Sequence, residues 1–411
     1  MPERSWVSHD LDPDWSALPD RPGCEELAPG FLLFAGVSNS YAMDTTAGLV
    51  IVDPGHAMTA ERFHRAVREW SDTPLHTVIY THGHPDHAAG LGPFLDAGER
   101  PAIVAQENTV ARFERYRLTH GFNQHINRRQ SGNRDLRFPD SFVAPTVTYR
   151  DALRLRVGDL DVHLRAVRGE TDDSSTVWIP QWKALFVGDL ATWKVPNAGN
   201  PQKVQRYPTD WAAGLEEAAA SGAEWLCPGH DPVLRGEQNV RTMLSDHARY
   251  LGSLIEQVLE RMNRGDTYDE ILHDVAPDPA LAGKPYLRQV WNHSSFIVRD
   301  LLRLWGGWWT GRAADLLPAT LHAQAAEIAR LGGGVEAIVA RGRELLEGGD
   351  VVMASHLAEW AAEAAPDDRP AQELKRDVYR ARAEGETAGI ACGAFRAAMN
   401  DAERAIVAMD T

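Results

Sequence analysis

The sequence predicts an α/β domain followed by an all-α domain, and three observations support this fold class. Short apolar runs that are typical of strands recur up to about residue 240, separated by turn residues and amphipathic helical stretches. Several of these runs end in a histidine or a carboxylate side chain. Beyond that point the strand pattern ends, and amphipathic helices follow that are broken by Gly and Pro, as at Gly265-Asp266 and Gly332-Gly333-Gly334.

The predicted domain organisation has three parts, since a chain of 411 residues is longer than one hydrophobic core usually spans. Residues 1–30 are polar and rich in Pro and Asp, which indicates an N-terminal arm rather than a core element. Residues 31–240 carry the pattern of the α/β domain. Residues 241–411 form the helical domain, whose last helices have the Ala-rich composition of paired-helix repeats.

The elements of the α/β domain follow in order along the chain. Residues 31–34 and 48–52 are apolar runs of strand type, and the second ends in the turn Asp53-Pro54-Gly55. A helix is predicted over 60–70, because its apolar residues share one face at helical spacing. A buried strand is predicted over 77–80. The later strand-like runs are 160–166, 176–179, 184–187 and 225–227.

The composition argues against several classes of partner. The formal net charge of −16 repels nucleic-acid phosphates and anionic lipid, so we expect neither nucleic acid nor a membrane as partner. A small anionic substrate remains compatible, because bound metal ions can dominate the local field. Three widely spaced cysteines without a CxxC pair argue against a disulfide framework and a cysteine zinc site. The sequence has no signal-peptide pattern and no apolar run of membrane-spanning length, and we expect a cytoplasmic protein.

The strongest candidate for chemistry is the cluster His82-Gly83-His84-Pro85-Asp86-His87, which follows the predicted strand at 77–80. Histidine and carboxylate are the ligands of hydrolytic zinc sites. His82 and His84 are two residues apart at a strand end or tight loop, so both can hold one metal ion. Asp86 and His87 follow after one turn and can face a second ion. One loop cannot complete two sites, so we expect further ligands at later strand ends.

Three later residues meet this expectation in order along the chain. Glu170 lies in Arg168-Gly169-Glu170-Thr171, Asp189 in Val187-Gly188-Asp189-Leu190, and His230 in Pro228-Gly229-His230-Asp231. Each comes after a strand-like run and is of a metal-binding type. This ordered recurrence makes a solvated His-rich loop a poor explanation of the cluster.

The ordered set resembles the metallo-β-lactamase superfamily across residues 31–235, with its HxHxDH motif, a third ligand, a bridging Asp and a late His. The resemblance implies an αββα sandwich and a two-metal hydrolytic site. Most of the superfamily has His where this chain has Glu170, whereas the alkyl sulfatase branch has Glu there. That branch has a second acidic ligand nineteen residues on, a Glu, where this chain has Asp189. In the alternative, Glu170 is a surface carboxylate and the third ligand is Asp172, Asp173 or His163.

A second resemblance covers roughly residues 245–400, which look like the alkyl sulfatase dimerisation domain. Its landmarks are Pro285-Tyr286-Leu287-Arg288, Leu304-Trp305-Gly306-Gly307-Trp308-Trp309-Thr310-Gly311, Leu316-Leu317-Pro318, Gly332-Gly333-Gly334 and Leu345-Leu346-Glu347-Gly348-Gly349-Asp350. The resemblance implies a homodimer through the C-terminal helical domain, with Trp305, Trp308 and Trp309 divided between core and interface. Full-length alkyl sulfatases also carry a sterol-carrier-like third domain, which we expect to be lacking here. Long-chain sulfates are therefore less expected as substrates.

The resemblance also implies the roles of the candidate ligands. They fall into two groups and a bridge: His82, His84 and Glu170; Asp86, His87 and His230; and Asp189. Asp86 and His87 are also the expected catalytic residues. Two divalent ions are implied, most simply zinc, with manganese or iron as alternatives because Glu170 adds a negative charge to the site. The implied reaction is attack of a metal-bound hydroxide on the sulfate ester of a small anionic molecule.

Amide and basic side chains are the expected substrate contacts. Asn127, Arg128 and Arg129 resemble an Asn-Arg-Arg-like segment of the branch, with a basic helix face as the alternative. The sulfate-contacting arginine of the family has no clean counterpart in this sequence. The candidates to replace it are Lys194, Lys203 and Arg206.

Other functions remain open at the level of the sequence. The same site could cleave a carboxylic ester, a lactone, a thioester, an amide or a phosphoester. A di-iron redox protein is a different class that acidic ligands would suit, but the sequence has no phosphate-binding Gly motif for a flavin partner. A non-catalytic, metal-stabilised binding module that acts through its helical domain is a third class. The intact ligand set argues against it.

Overall fold

The structure, a computed structural model, describes residues 5–410 of the chain. The described residues fall into two compact units. Unit 1 comprises the described residues through Asn123, together with Phe138–Gln289 and Ser294–Gly307. Unit 2 comprises Gln124–Arg137, Val290–His293 and the chain from Trp308 onward.

Two β-sheets form the centre of unit 1. In chain order, the strands found among residues 5–410 are β1 (Val7–Ser8), β2 (Gly23–Ala28), β3 (Phe31–Ala35), β4 (Asn39–Met43), β5 (Leu49–Val52), β6 (Leu75–Ile79), β7 (Ala102–Gln106), β8 (Val147–Tyr149), β9 (Ala152–Val157), β10 (Leu160–Ala166), β11 (Ser175–Ile179), β12 (Ala184–Gly188), β13 (Trp225–Pro228) and β14 (Val233–Arg235). Sheet 1 has the order β2-β3-β4-β5-β6-β7-β8, and sheet 2 has the order β1-β14-β13-β12-β11-β10-β9. β5 to β8 run parallel, so their carboxyl ends meet at one edge of sheet 1.

Helices cover the outer faces of the sheets and make up most of unit 2. In chain order, those described are α1 (Ala60–Trp70), α2 (Pro85–Ala88), α3 (Gly92–Asp96), α4 (Asn108–Leu118), α5 (His120–Ser131), α6 (Pro208–Ala219), α7 (Glu237–Arg264), α8 (Tyr268–Asp274), α9 (Pro279–Ala282), α10 (Ser294–Gly306), α11 (Leu321–Leu331), α12 (Val335–Glu347), α13 (Val351–Ala364), α14 (Arg369–Glu384) and α15 (Gly389–Ala408). In the described part of the chain, no helix combines the length and the apolar character that crossing a membrane requires.

Three apolar layers show the architecture of unit 1. Phe186 lies in the layer between the two sheets. Phe63 of α1 packs in a second layer against the outer face of sheet 1. Trp211 of α6 and Leu251 of α7 pack in a third layer with residues of β12 and β13. The order helix, sheet, sheet, helix is an αββα sandwich followed by a helical region, which confirms the predicted fold class.

The sequence pattern explains why these layers form. All four residues of β5 are buried, because a central strand is covered on both of its faces. In β10, buried Leu160, Val162 and Leu164 alternate with more exposed polar neighbours, as period-two strand geometry requires. In α1, Phe63 and Val67 are four residues apart and share the buried face.

The core of unit 2 consists largely of small side chains. Ala354 and Ala358 of α13 are fully buried, and they pack in one cluster with Leu374 and Val378 of α14. Alanine lets neighbouring helices approach closely, and the composition agrees with the paired helices predicted for this region. Loops of a few residues join the successive helices α11 to α15.

The tryptophans near the start of unit 2 are not core residues of their own chain. Trp308 is 70% exposed and Trp309 is 42% exposed, and Leu317 nearby is 92% exposed. Trp305, at the end of α10 in unit 1, is 38% exposed. A division of these three residues between core and interface was predicted. None of the three is buried within its own chain.

Residues 5–30 differ from the predicted arm, because they join both sheets. β1 pairs with β14, β2 pairs with β3, and the side chain of Trp6 is buried. β2 is an edge strand that carries two glutamates, so its composition hides the strand. The predicted domain boundaries, 31–240 and 241–411, stay a prediction. The two compact units are defined by how the chain packs, and unit 1 continues to Gly307.

Candidate metal centre

The centre begins at the carboxyl end of β6 in unit 1. This strand lies between β5 and β7, parallel to both, and the chain runs from it into His82. His84 directly precedes α2, and Pro85 takes the first helical position, where its missing N–H is not needed. Asp86 and His87 follow in the single turn of α2.

The other candidate ligands come from strand ends of sheet 2. Glu170 follows β10, Asp189 follows β12, and His230 follows β13. The approach of these elements is so close that it requires a glycine. A Cβ atom at Gly229 would overlap with the side chains of Asp189 and His87.

A first group comprises His82, His84, Glu170 and Asp189. One ligand atom from each of the four side chains lies within 4.8 Å of the others. His82 Nε2 is 3.1 Å from His84 Nδ1 and 3.9 Å from Asp189 Oδ2. His84 Nδ1 is 4.0 Å from Glu170 Oε1. These separations are typical of atoms that can bind a common ion.

A second group comprises Asp86, His87 and His230, and Asp189 adjoins it. Asp86 Oδ2 lies 3.6 Å from His87 Nε2 and 3.2 Å from His230 Nε2. Asp189 Oδ1 is 3.5 Å from His87 Nε2, and its Oδ2 is 3.6 Å from His230 Nε2. The carboxylate of Asp189 therefore lies between the two groups. The seven candidate ligands therefore form two adjoining groups in unit 1.

Two atoms at the meeting point of these groups fit a cation. His87 Nε2 and Asp189 Oδ1 are buried, and neither has a hydrogen-bond partner among the described residues. A buried polar atom without a partner is costly, and in native proteins it usually has a specific reason. Imidazole nitrogen and carboxylate oxygen suit zinc, manganese and iron. The donor set therefore fits divalent metal ions.

Asp53, which the sequence indicates only as part of a turn, contacts one candidate ligand directly and a second through Thr81. Its Oδ2 accepts hydrogen bonds from His87 Nδ1 at 2.8 Å and from Thr81 Oγ1 at 2.6 Å. Because Thr81 Oγ1 donates to Asp53, it accepts from His82 Nδ1, 3.1 Å away. Both histidines therefore present Nε2 to the centre, as buried carboxylates behind metal ligands commonly ensure. The signal available in the sequence was a carboxylate at the end of a buried strand. In the structure Asp53 has a positive φ of 53°.

Glu170 is held by two donors from the loop that follows β12. Arg206 is 3% exposed, and its Nη2 lies 3.0 Å from Glu170 Oε1. Asn197 Nδ2 donates to the same oxygen at 2.7 Å, and Arg206 Nη1 donates to the Asn197 carbonyl. Arg206 was a candidate for sulfate contact from the sequence. In the structure it compensates the charge of Glu170.

The three alternative third ligands lie elsewhere in unit 1. Asp173 accepts from the Gly83 backbone N–H at 2.8 Å and from Arg112 Nε at 2.6 Å. Asp172 also pairs with Arg112, and His163 lies within β10. In the described part of the chain, none of the three belongs to a metal-ligand-like group. Asp173 instead anchors the backbone between His82 and His84 to α4.

The protonation of the first group follows from burial. Burial and the nearby His87 lower the pKa of His82 to about 4. Burial likewise holds the pKa of His84 well below its usual value. Both rings are therefore neutral near pH 7 and can act as ligands. Burial raises the pKa of Glu170 to about 7, although the charge of Arg206 opposes this shift.

The second group has the opposite balance. Burial disfavours a charge on His87, but the carboxylates of Asp189 and Asp86 outweigh it and raise the pKa of His87 well above its usual value. The pKa of Asp189 is held well below its usual value despite burial, mainly because of His87 and His230. In the metal-free centre the raised pKa favours a second proton on His87, at Nε2, in the place where a bound cation would act.

The proposed substrate contacts have separate locations. Asn127, Arg128 and Arg129 lie on the part of α5 that belongs to unit 2, where Arg128 Nε donates to a backbone carbonyl 2.9 Å away. Lys194 lies in unit 1, and its Nζ is 2.9 Å from Asp231 Oδ2, next to His230. The assignment of all four to substrate binding stays a prediction.

Two family models match consecutive parts of the chain. The model of the metallo-beta-lactamase superfamily matches residues 33–230, the range that contains all seven candidate ligands. The model described as alkyl sulfatase dimerisation matches residues 267–404. The chain therefore carries a region that matches the metallo-β-lactamase superfamily, followed by a region that matches the alkyl sulfatase dimerisation domain. These two matches confirm the resemblance seen in the sequence.

Individual relatives match over most of the chain. A linear primary-alkylsulfatase of Pseudomonas sp. (strain ATCC 19151) is 27% identical over 82% of this chain and 69% of that protein. An (R)-specific secondary-alkylsulfatase of Pseudomonas sp. is 24% identical over 87% of this chain and 59% of that protein. The solved stereoselective inverting sec-alkylsulfatase Pisa1 of Pseudomonas sp. has a TM-score of 0.84 at 22% identity and covers 93% of this chain.

The alkyl sulfatase-like chain spans only part of these relatives. It covers 66% of the length of the solved Pisa1 chain and 59% of the secondary-alkylsulfatase. The solved Pisa1 chain shares its fold with this chain over both regions that the family models match. Family and relatives together support a hydrolase that uses divalent metal.

Proposed function

We propose that this chain is a metal-dependent hydrolase that cleaves the sulfate ester of a small anionic molecule. The observation that carries the proposal is the position of Asp189, whose carboxylate adjoins both ligand groups in an alkyl sulfatase-like chain. One carboxylate between two such groups suits a two-metal site. A sulfate ester is favoured over other esters because the relatives described above are named alkylsulfatases.

Two divalent ions are proposed as cofactors, most simply zinc, with manganese or iron as alternatives. The proposed ligands are His82, His84 and Glu170 for one ion, Asp86, His87 and His230 for the other, and Asp189 between them. Divalent ions supply Lewis acidity at such a site, where they acidify water and stabilise the negative charge that develops on the ester. Asp86 and His87 are the proposed catalytic residues: His87 Nε2 lies beside the Asp189 carboxylate, and Asp86, at 30% exposure, is the candidate ligand most open to solvent.

The surrounding side chains set the state of these ligands. Asp53 keeps a proton on Nδ1 of His87, so Nε2 is the atom that faces the centre. Arg206 offsets the negative charge that Glu170 brings in place of a neutral histidine. The net charge of the first group is therefore close to that of a site with histidine in the third position. In this proposal, Glu170 and Arg206 together determine which metal ion the site prefers, and Glu170 alone does not.

Lys203 is the side chain that we favour for binding the anionic sulfate group. It is half-buried, and the charges of Glu170 and Asp86 act on its ammonium group. Burial lowers the pKa of Lys203 to about 8, so the ammonium group still carries its charge near pH 7. A partly desolvated cation binds an anion more strongly than a fully hydrated one. The other proposed contacts are Lys194, Asn127, Arg128 and Arg129.

The decisive experiment combines metal analysis with sulfate release. Protein purified without chelator is analysed for its elements and then incubated with a medium-chain alkyl sulfate. We expect two equivalents of divalent metal and release of inorganic sulfate. Two equivalents without sulfate release would overturn the sulfate-ester part and direct the search to carboxylic esters, lactones, thioesters and phosphoesters. Fewer than one equivalent after reconstitution would overturn the two-metal proposal.

Two ligand variants test whether metal and turnover depend on the same residues. Asp86→Ala and His84→Ala each remove one proposed ligand, and we expect both to abolish turnover while the fold remains. Asp96→Ala is the matched control, because it removes an exposed carboxylate at the end of α3. Retained turnover in both ligand variants would contradict the two-metal mechanism.

We also propose a homodimer formed through the C-terminal helical region. The family model that matches residues 267–404 describes dimerisation. Trp308, Trp309 and Leu317 are exposed apolar side chains in this range, and a partner surface would bury them. Light scattering after size-exclusion chromatography should give twice the monomer mass. Trp308→Arg should lower that mass, whereas a monomeric parent protein would contradict the proposal.

The proposed location is the cytoplasm. Cys24, Cys227 and Cys392 are all free thiols in the structure. Proteins of reducing compartments keep their thiols in this form. Fractionation of the producing cells, followed by immunodetection, would test the location.

A further inference from the structure

Two ligands of the second group are more exposed than any ligand of the first. In the first group the side chains of His82, Glu170 and His84 are 1%, 11% and 16% exposed. In the second group His87 is fully buried, but the side chains of His230 and Asp86 are 25% and 30% exposed. An exposed ligand keeps more rotamer freedom, so its position depends on whatever holds its backbone. The second group therefore needs an anchor outside its own side chains.

The turn between β3 and β4, residues 36–38, contacts two of the three ligands in that group. The carbonyl of Val37 accepts a hydrogen bond from His230 Nδ1 at 3.1 Å. This bond leaves Nε2 of His230 as the atom that faces Asp86 and Asp189. Ser38 Oγ donates to the backbone carbonyl of Asp86. Both ligands are thus located relative to one turn.

Asn39 fixes the segment that carries His230 on both sides of that residue. Its backbone N–H donates to the Gly229 carbonyl at 2.6 Å. Its side-chain Nδ2 donates to the carbonyls of Pro228 at 3.0 Å and Asp231 at 2.8 Å. Asp231 has a φ of 70°, a conformation that residues other than glycine rarely adopt, so the amide of Asn39 supports a strained backbone.

Arg21 keeps the Asn39 amide in the orientation that these bonds require. Its Nη2 lies 3.4 Å from Asn39 Oδ1, and its Nη1 donates to the Gly36 carbonyl at 3.0 Å. The guanidinium also lies over the ring of Trp6, 4.7 Å from the centroid. Because Oδ1 of Asn39 faces the guanidinium of Arg21, Nδ2 of the same amide faces the carbonyls of Pro228 and Asp231. Asn39 is 1% exposed, so the amide has no competing water.

We propose that Asn39 is a positioning residue that sets the metal affinity of the group formed by Asp86, His87 and His230. The inference rests on the proposed two-metal function. It adds that each group has a support of its own besides Asp53, which contacts both groups, so the affinity of one group can be changed without the other. Asn39 and Arg21 support the second group, whereas Asp173 and Arg112 support the backbone of the first group.

The test is a zinc titration of the metal-free full chain against a chromophoric chelator. The parent protein should bind two equivalents. In Asn39→Ala one equivalent should weaken by roughly 10–100-fold, the usual effect of losing a residue that orients a metal ligand, and the other should keep its affinity. Asn39→Asp keeps the shape and the partner Arg21 but loses both donors, so it should show the same selective loss if the alanine variant folds poorly.

Two further proteins make the outcome decisive. Asn239→Ala is the matched control. Like Asn39, Asn239 donates from Nδ2 to a backbone carbonyl, in this case that of His9 at 2.7 Å. It should leave both equivalents unchanged. In a His230→Ala background, Asn39→Ala should not weaken the remaining equivalent further. Equal weakening of both equivalents, no weakening, or further weakening in that background would overturn the inference. A parent protein that binds fewer than two equivalents would overturn the two-metal function itself.

Discussion

Arg206→Met should destabilise the metal-free protein, because it leaves Glu170 buried without its cation. The two side chains are 3% and 11% exposed, and the charged atoms are 3.0 Å apart. At an effective dielectric constant of about 20, opposite charges at that separation attract by about 5 kcal/mol. Breaking a buried pair from one side typically costs 3–5 kcal/mol. Methionine fills much of the volume of the arginine side chain, so the main loss is electrostatic.

Proton uptake by Glu170 limits the expected loss to the lower end of that range. Burial already raises the pKa of Glu170 to about 7 with Arg206 in place, so the variant can neutralise the carboxyl at little cost near pH 7. We therefore expect a loss of about 3 kcal/mol. In a chain of 411 residues that corresponds to a fall in Tm of roughly 3–4 °C.

Urea unfolding of chelator-treated protein, followed by tryptophan fluorescence, measures this loss. The double variant Glu170→Gln, Arg206→Met should be less destabilised than the sum of the two single variants, because no charge is left unpaired. Arg62→Met is the matched control, since Arg62 is exposed on α1. A loss below about 0.5 kcal/mol, the usual effect of a surface substitution, would refute the electrostatic reasoning. So would additive losses in the double variant.

Three further outcomes are expected. Zinc affinity should fall as the pH drops from 8 to 6, because the pKa of Glu170 lies at about 7 and the pKa of His87 is raised, so protons compete with the ion. Competition titrations at three pH values test this, and an affinity that does not change with pH would contradict it. Asp53→Ala should weaken metal binding by roughly 10–100-fold, because the ring of His87 loses its acceptor; an unchanged titration would argue against that role. Gly229→Ala should abolish binding of the second equivalent, since the new Cβ would overlap with the side chains of Asp189 and His87. Gly252→Ala, with open space around position 252, should bind metal normally, and equal metal content in both variants would count against the close packing.

The candidate ligands could be predicted from the sequence because their signal is local. His82 and His84 follow directly after a buried strand, and the spacing to Asp86 and His87 is fixed by one turn of backbone. Strands with their ligands at one end must bring those ends together, whatever the details of packing. The structure accordingly brings the candidates together. Their role as ligands stays a prediction until metal is measured.

The supporting residues could not be predicted, because their roles depend on pairing between distant segments. Asp53 reaches His87 only because β5 and β6 are parallel neighbours. Asn39 in the sequence is one polar residue at the start of β4, and its proposed role depends on the segment 228–231 that lies against it. Trp6 and Arg21 lie in a stretch whose composition resembles a loop, although Trp6 is buried and the guanidinium of Arg21 lies over its ring. Such roles follow from tertiary contacts that no periodicity encodes.

The pairing of β1 with β14 has a consequence for the order in which the molecule assembles. Sheet 1 consists of consecutive strands from the first part of the chain, so it can form while synthesis continues. β1 can pair only after β14 has been synthesised, since Val7 pairs with Val233, near the C-terminal end of the αββα sandwich. Contacts of such long sequence separation form late, because the loop that they close is costly in entropy. The carbonyls that Asn39 holds belong to the same late segment, so a ribosome-bound chain should acquire His230 as the last of its seven candidate ligands.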